Sequence, residues 1–331
     1  MPLKDYFKSL GAKFANNRIT SFLEKDSEYK ELANAVVCPL MANGQIQIKG
    51  DDRLDFVHGQ TTNIVKNLEL NSFSENLLLN HKGHALADIK VFKREADLYI
   101  VSEGSAEYTL ARFKKHIIFD AVVLNDLSKK LVSFTVQGDN SKKLLEAAFE
   151  ITMPKTNKFI EFEYNNAKIL INPAQRTKNG GFDINLCSSD GIEIFEKLIS
   201  MGIKTAGEDV LDISRVEAKI PMAIYDAGAG VLPQEAGLEP KLSYNKGCYL
   251  GQEIIARIHA RGSVRRSLRL LKLEAIPDIK RPDIILNNKK IGILGTVVKH
   301  PKLGIIALAV LRNNLQKSEF EVAGIKAAIL G

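Results

Sequence analysis

The sequence lacks tryptophan, has only three cysteines among 331 residues and contains no long apolar run. Cys38, Cys187 and Cys248 are odd in number and far apart, which argues against a disulfide framework and favours a reducing compartment. No apolar stretch approaches the roughly 20 residues of a membrane span, and the N-terminus has no secretory signal core. We therefore predict a cytoplasmic protein that makes no contact with a membrane.

Several sequence motifs for cofactors and metals are also missing. The chain has no phosphate-binding G-x-x-x-x-G-K-[ST] loop, no G-x-G-x-x-G and no C-x-x-C pair. Its six histidines form no recognisable ligand set: His81 and His84 alone are three residues apart, in a predicted turn. We predict no metal site, and a permanent iron–sulfur cluster held by this chain alone is disfavoured because such clusters usually take four cysteines.

Length and composition describe an ordinary globular chain. At about 150 residues per domain, 331 residues predict two or three domains. The net charge of +7 indicates an attraction to anions. The basic residues cluster at Arg257, Arg261, Arg265, Arg266, Arg269 and Lys272. No aromatic residue interrupts this run, so RNA binding is a weaker interpretation than a site for an anionic small ligand or a solvated face.

The order of predicted elements indicates an α+β fold with three domains. Two similar α+β halves are predicted at residues 1–130 and 131–265, and a small β-barrel at 266–331. The barrel strands are predicted at Leu268–Leu273, Asp283–Leu286, Lys290–Ile293, Thr296–His300 and Ile305–Leu311. A helix is predicted at Gln252–Arg261, with Gly262 as its stop. In the second half, Asn165-Asn166 is predicted as a hairpin turn, because both residues tolerate left-handed conformations.

The stretch Lys246-Gly247-Cys248-Tyr249-Leu250-Gly251-Gln252-Glu253 has the composition of a reactive-thiol site. Its glycines permit an exposed bend, and Cys248 would lie just before the predicted helix. The helix dipole and the ammonium of Lys246 would both favour the thiolate, which binds metals and attacks electrophiles. We predict Cys248 as the reactive residue and Lys246 as its assistant.

Five stretches together carry a resemblance to a known family. They are residues 56–63 (FVHGQTTN), 79–88 (LNHKGHALAD), 215–221 (RVEAKIP), 232–235 (LPQE) and 246–253 (KGCYLGQE). In order and spacing they resemble the YgfZ family of folate-binding proteins, which is linked to iron–sulfur cluster maintenance. That family is in turn similar to the folate-dependent aminomethyltransferase, or T-protein, of the glycine cleavage system.

The resemblance implies a T-protein-like fold with two related α+β domains around a central cavity, a C-terminal barrel and tetrahydrofolate as cofactor. It places the pterin contact at Glu217, because a carboxylate can accept both hydrogen bonds from the exocyclic amine and the ring N–H. Arg215 would orient that carboxylate or meet another anion. The further candidate contacts are Asp88, Gln252, Arg257 and Arg261. The implied function is support of iron–sulfur cluster assembly or repair, with client or assembly proteins as partners.

Two departures from the aminomethyltransferase pattern leave the activity open. The resemblance implies two adjacent aspartates on the strand that contains Asp88, and the first of these positions is Ala87 here. The motif Thr62-Asn63-Ile64 likewise replaces the usual T-N-D. Whether the chain is an enzyme stays open. The alternatives are a folate-dependent one-carbon transferase that uses Cys248 as nucleophile, and an RNA-associated factor in tRNA modification.

Overall fold

The structure is a computed structural model that describes residues 1–104, 106–315 and 319–330. Its helices are α1 (Leu3–Ser9), α2 (Lys25–Glu31), α3 (Arg53–Gln60), α4 (Ala106–His116), α5 (Ser141–Phe149), α6 (Gly191–Ser200), α7 (Glu208–Glu217), α8 (Ala223–Asp226) and α9 (Gln252–Ala260). The first strands are β1 (Lys13–Ala15), β2 (Arg18–Ser21), β3 (Val36–Pro39), β4 (Gly44–Lys49), β5 (Ser72–Leu79), β6 (Ala85–Lys93), β7 (Leu98–Ser102) and β8 (Val123–Asp126). The next are β9 (Leu131–Gln137), β10 (Ile160–Tyr164), β11 (Ala167–Pro173), β12 (Gly181–Cys187) and β13 (Lys204–Thr205). The last are β14 (Arg266–Leu273), β15 (Asp283–Leu286), β16 (Lys289–His300), β17 (Gly304–Arg312), β18 (Glu319–Val322) and β19 (Ile325–Ile329).

These strands form two larger sheets, one small hairpin and a barrel. The six-stranded sheet has the order β10-β11-β12-β9-β3-β13, and the five-stranded sheet has the order β5-β6-β7-β4-β8. Strands β1 and β2 pair by themselves, while β14-β17-β16-β15-β18-β19 close into a barrel. The fold is thus α+β with a closed C-terminal barrel, as predicted. Closure removes the open edges that a six-stranded sheet would otherwise expose.

The chain divides into two compact units. The first unit contains Met1–Arg53, Asn67–Ser74 and Lys90–Ser214, and the second contains Leu54–Lys66, Glu75–Ile89 and Arg215–Gly331. In the first unit, the largest apolar cluster packs aromatic rings such as Phe7 and Phe195, whose centroids are 5.0 Å apart. The domain division predicted from the sequence stays a prediction.

Local expectations are confirmed where side-chain chemistry decides the backbone. The hairpin between β10 and β11 turns at Asn165 and Asn166, whose φ angles are +49° and +68°. Helix α9 ends at Ala260, and Gly262 follows it with φ of +71°. Two asparagines and one glycine accept left-handed conformations at low cost, so these turns were readable from residue type. A further helix, predicted at Ser105–Ile118 because Leu110, Phe113 and Ile117 have helical spacing, corresponds to α4, and Ser105 itself lies outside the described residues.

The barrel prediction is wrong in one detail. Lys290–Ile293 and Thr296–His300 are parts of a single strand, β16, and not two strands. The strand stays paired with β17 through a register irregularity between Leu294 and Val297, so Gly295 marks a bulge and not a turn. Strands β18 and β19, which complete the barrel, were not predicted. No helix in the described part of the chain is long and apolar enough to span a membrane.

Candidate functional site

The Cys248 segment begins the site and lies in the second unit. Cys248 is exposed, whereas its neighbour Tyr249 is buried in an apolar cluster with residues such as Leu79 and Ile255. Helix α9 begins at Gln252, with Gly251 as the preceding cap residue at φ of +86°. The structure therefore confirms that Cys248 lies just before a helix, on a loop anchored by the aromatic ring that follows it.

The backbone of Gly251 packs directly against the backbone of the turn between strands β5 and β6. A Cβ at Gly251 would lie 2.6 Å from the carbonyl oxygen of Asn80 and 3.2 Å from the Cα of Gly83. A Cβ at Gly83, whose φ is +75°, would in turn press on Ile254 at 3.3 Å. Residues 79–88 and residues 246–253, which are about 170 residues apart in the sequence, thus pack closely together where glycines leave room for the backbone. Gly247, by contrast, has no atom within 4 Å of such a Cβ.

Lys246 binds the end of helix α3. Its Nζ donates to the carbonyl oxygens of His58 (2.6 Å), Thr61 (2.6 Å) and Asn63 (2.8 Å). A cation is favourable at this position because the carbonyls at a helix C-terminus carry partial negative charge. The ammonium also lies 5.3 Å from the centre of the Tyr249 ring. Burial lowers the pKa of Lys246 to about 7. Its predicted assistance to Cys248 stays a prediction.

The FVHGQTTN motif (residues 56–63), whose carbonyls accept from Lys246, forms further hydrogen bonds around the end of helix α3. The Thr62 hydroxyl donates to the carbonyl of Lys241 (2.7 Å) and accepts from the N–H of Leu77 (2.8 Å). The Asn63 amide nitrogen donates to the carbonyl oxygens of Glu75 and Pro240, both at 3.1 Å. The motif thereby ties the end of helix α3 to strand β5 and to the segment that precedes Lys246.

Asp88 is buried on strand β6 and forms an ion pair that the sequence did not reveal. Both of its carboxylate oxygens accept from the Nζ of Lys241, at 2.7 and 2.8 Å. Ala87, the departure noted in the sequence, is 3% exposed. The second unit therefore retains one carboxylate on this strand, and a lysine holds it.

Glu217 and Arg215 lie at the last turn of helix α7 and differ in exposure. The Glu217 side chain is 27% exposed, and its Oε2 lies 3.7 Å from the Nε2 of His300. Arg215 is buried and donates to Asp226 (2.8 Å) and to the hydroxyl of Thr296 (2.7 Å). The guanidinium is thus engaged within the protein, and Glu217 is the more accessible of the two predicted folate contacts.

The two remaining candidates lie on helix α9. The Gln252 side chain donates to the carbonyl of Lys246 at 3.1 Å, which closes the Cys248 loop on itself. Arg257 and Arg261 are exposed, and neither forms an ion pair within residues 1–104, 106–315 and 319–330. Within the same ranges, no group of three or more His, Cys, Asp or Glu residues could hold a metal ion.

Sequence reasoning missed Lys241, Asp226 and His300. Each acts through a partner that is distant in the chain: Lys241 binds Asp88, Asp226 binds Arg215, and His300 faces Glu217. No local pattern around these three residues signals such a pairing. All of the predicted site residues lie within the second unit, namely Glu217, Arg215, Asp88, Lys246, Cys248, Gln252, Arg257 and Arg261.

Comparisons with known proteins identify the family. Residues 10–246 match the model of the GCVT N-terminal domain, so the chain belongs to that family. An aminomethyltransferase of Listeria welshimeri is 24% identical over 276 residues, which cover 81% of this chain and 76% of the relative. An aminomethyltransferase of Thermoanaerobacter pseudethanolicus is 24% identical over 318 residues, covering 91% and 86%.

A solved structure shares the fold over the whole chain. The glycine cleavage system aminomethyltransferase T from Bartonella henselae superposes with a TM-score of 0.84, covering 100% of this chain and 96% of its own at 18% identity. The predicted T-protein-like fold is thereby confirmed. The curated relatives favour the one-carbon transferase alternative over the iron–sulfur hypothesis.

Proposed function

We propose that this protein binds tetrahydrofolate and acts as a folate-dependent one-carbon transferase. The observation that carries the proposal is Glu217: a partly exposed carboxylate at the end of helix α7, in a turn that is otherwise buried on the barrel. Such a group can accept two parallel hydrogen bonds from a pterin ring. The similarity to aminomethyltransferases supplies the reaction class.

Ala87 and the Cys248 loop suggest how the proposed transferase differs from its relatives. Position 87 is an alanine, so no carboxylate is available there to stabilise developing positive charge or to relay a proton. Cys248 is exposed on a loop that Lys246 and Gln252 hold in place. We therefore assign the nucleophile of the proposed reaction to the Cys248 thiol: its sulfur bonds to the methylene carbon of methylene-tetrahydrofolate, the bond from that carbon to one folate nitrogen breaks, and that nitrogen takes up the thiol proton.

A calorimetric titration with tetrahydrofolate tests the binding half of the proposal. The wild type should bind, and Glu217→Gln should lose about 1.5–3 kcal/mol, because a charge-assisted contact is broken. The matched control is Glu274→Gln, since Glu274 is exposed on the barrel. Equal affinities for the Glu217 variant and the control would remove Glu217 from the site.

An enzyme assay tests the transferase half. Purified protein is supplied with methylene-tetrahydrofolate and an amine together with a thiol acceptor, which between them take the two bonds of the methylene carbon, and the tetrahydrofolate released is measured by mass spectrometry. Cys248→Ser should abolish turnover but keep folate affinity. If turnover survives in the serine variant, the thiol is not the nucleophile. If the wild type binds folate but no acceptor reacts, the protein is a folate-binding protein without transferase activity.

The Cys248 motif supports a second candidate, namely assembly or repair of iron–sulfur clusters in client proteins, as in the YgfZ family. The eight-residue KGCYLGQE stretch, with its exposed thiol, is the observation in its favour. Complementation separates the candidates. A deletion strain should regain iron–sulfur enzyme activity with the wild type and not with Cys248→Ser. Full rescue by the serine variant would contradict a thiol-dependent role.

A further inference from the structure

The last turn of helix α7 rests on the C-terminal barrel. Val216 is fully buried and packs against Leu270, Ile306 and Leu308 of strands β14 and β17. These apolar contacts fix the backbone on which Glu217 stands. The carboxylate is therefore presented by a turn whose position the barrel determines.

A buried polar network fixes the same turn from one side. Arg215 donates to the carboxylate of Asp226, whose side chain is fully buried, at 2.8 Å. Asp226 also accepts from the backbone N–H and the hydroxyl of Thr296 on strand β16, both at 2.8 Å. Because a buried ion pair of this kind is costly to break, the helix end has little freedom to move along the strand.

His300, at the end of the same strand, approaches Glu217 in a defined tautomer. Its Nδ1 accepts from the backbone N–H groups of Lys302 (3.0 Å) and Leu303 (3.1 Å). A ring nitrogen that accepts two hydrogen bonds carries no hydrogen in the neutral imidazole, so the N–H lies at Nε2. That nitrogen lies 3.7 Å from the Oε2 of Glu217, and the imidazole is 3% exposed.

The location of Glu217 is electrostatically unfavourable for the helix itself. A carboxylate at a helix C-terminus faces the partial negative charge of the last carbonyls, which destabilises it. Partial burial adds a desolvation cost. The positive end of the His300 Nε2–H dipole, which lies 3.7 Å from Oε2 and so beyond hydrogen-bond length, offsets part of that cost electrostatically and favours one direction of the carboxylate.

We propose that His300 is a positioning residue for Glu217: its Nε2–H orients the carboxylate that binds the folate. This inference rests on the proposed function, because it assumes that Glu217 contacts the pterin. His300 acts through Glu217 and need not touch the ligand.

Two substitutions separate this role from a structural one. His300→Asn keeps an acceptor for the Lys302 and Leu303 N–H groups, since the asparagine Oδ1 stands in for Nδ1, but it removes Nε2–H. His300→Gln places an amide N–H near the former Nε2 and loses that acceptor. We expect His300→Asn to unfold near the wild-type midpoint yet bind tetrahydrofolate roughly fivefold to thirtyfold more weakly. The His300→Gln variant should be less stable than the wild type, but it should bind tetrahydrofolate more tightly than the His300→Asn variant does.

A double-mutant cycle decides whether the effect passes through Glu217. His300→Asn should change affinity much less in a Glu217→Gln background than in the wild type, because the coupling partner is gone. The proposal is overturned if the loss is equal in both backgrounds. It is also overturned if folded His300→Asn binds as tightly as the wild type.

A measurement without folate keeps this inference separate from the proposed function. In a long-range ¹H–¹⁵N spectrum of histidine-labelled protein, His300 should show the Nε2–H tautomer, and Glu217→Gln should shift the Nε2 signal more than the Nδ1 signal. An Nδ1–H tautomer, or an unshifted Nε2 signal, would refute the contact. If the contact is present and the wild type still binds no tetrahydrofolate, the proposed function fails, and with it the role of His300 in binding.

Discussion

The ammonium nitrogen of Lys246 lies 2.6 Å from the backbone carbonyl oxygen of Thr61. This contact joins the segment that carries Cys248 to the end of helix α3, 185 residues earlier in the chain. Residues 56–63 and residues 246–253, two of the motifs recognised in the sequence, therefore form one junction in the folded protein. The position of the thiol depends on that junction, because only Gly247 separates Lys246 from Cys248.

Replacing Lys246 by methionine should destabilise the protein. At pH 6 the variant leaves three carbonyl acceptors without their charged donor, so we expect the free energy of unfolding to fall by about 1–3 kcal/mol. Urea unfolding followed by circular dichroism measures the change. Lys82→Met is the control, because Lys82 is exposed. Equal unfolding free energies for the two variants would contradict an anchoring role.

The two glycines that flank Cys248 should differ in their tolerance of alanine. Gly251→Ala forces a Cβ to within 2.6 Å of the Asn80 carbonyl at a φ of +86°, so a loss of about 1–3 kcal/mol is expected. Gly247→Ala meets no atom within 4 Å and should change stability by less than about 1 kcal/mol. Thermal unfolding of both variants provides the comparison, and the reverse order would show that the close approach to Asn80 is wrong.

The three cysteines should react differently with iodoacetamide in the native protein. Cys187 and Cys248 are exposed, whereas Cys38 is fully buried and burial raises its pKa well above the ordinary value. We expect peptide mass spectrometry to find Cys187 and Cys248 modified, and Cys38 modified only after denaturation. Protection of Cys248 in the native protein would mean that its loop is covered.

His58 should make stability fall as the pH drops below 6.5. Burial, followed by the charge of Lys246, lowers its pKa, and its Nδ1 accepts from the N–H of Val65 at 3.2 Å. The unfolded chain then binds a proton that the folded protein does not. Stability is therefore retained above pH 6.5 and lost on acidification, by at most about 1.4 kcal/mol per pH unit.

His58→Asn isolates this effect from other groups. Asparagine keeps an acceptor near the Nδ1 position and cannot take up a proton in this range. Urea unfolding between pH 5 and 7.5 should show a shallower decline in the variant than in the wild type. Parallel curves for the two proteins would exclude His58 as a source of the acid sensitivity.

Short-range chemistry in the sequence predicted much of the fold. Strand β15 (Asp283–Leu286) has its predicted bounds, and strands β14 and β17 extend the predicted Leu268–Leu273 and Ile305–Leu311 by no more than two residues at either end. The division of β16 into two strands failed because a glycine can mark either a turn or a bulge. Only the pairing with β17 across Gly295 distinguishes them.

The candidate site divides in the same way. Residue type singled out Cys248 and its glycines, because a thiol between glycines is visible in a linear pattern, whereas Glu217 was indicated by the family resemblance. The partners of these groups were not visible, since Lys246 binds carbonyls on helix α3 and His300 approaches Glu217 from another strand. Backbone carbonyls leave no signature in a sequence, and contacts between distant segments exist only after the chain has folded. The sequence by itself therefore determined which groups are chemically able to act, and the tertiary structure decided which of them are held, buried or exposed.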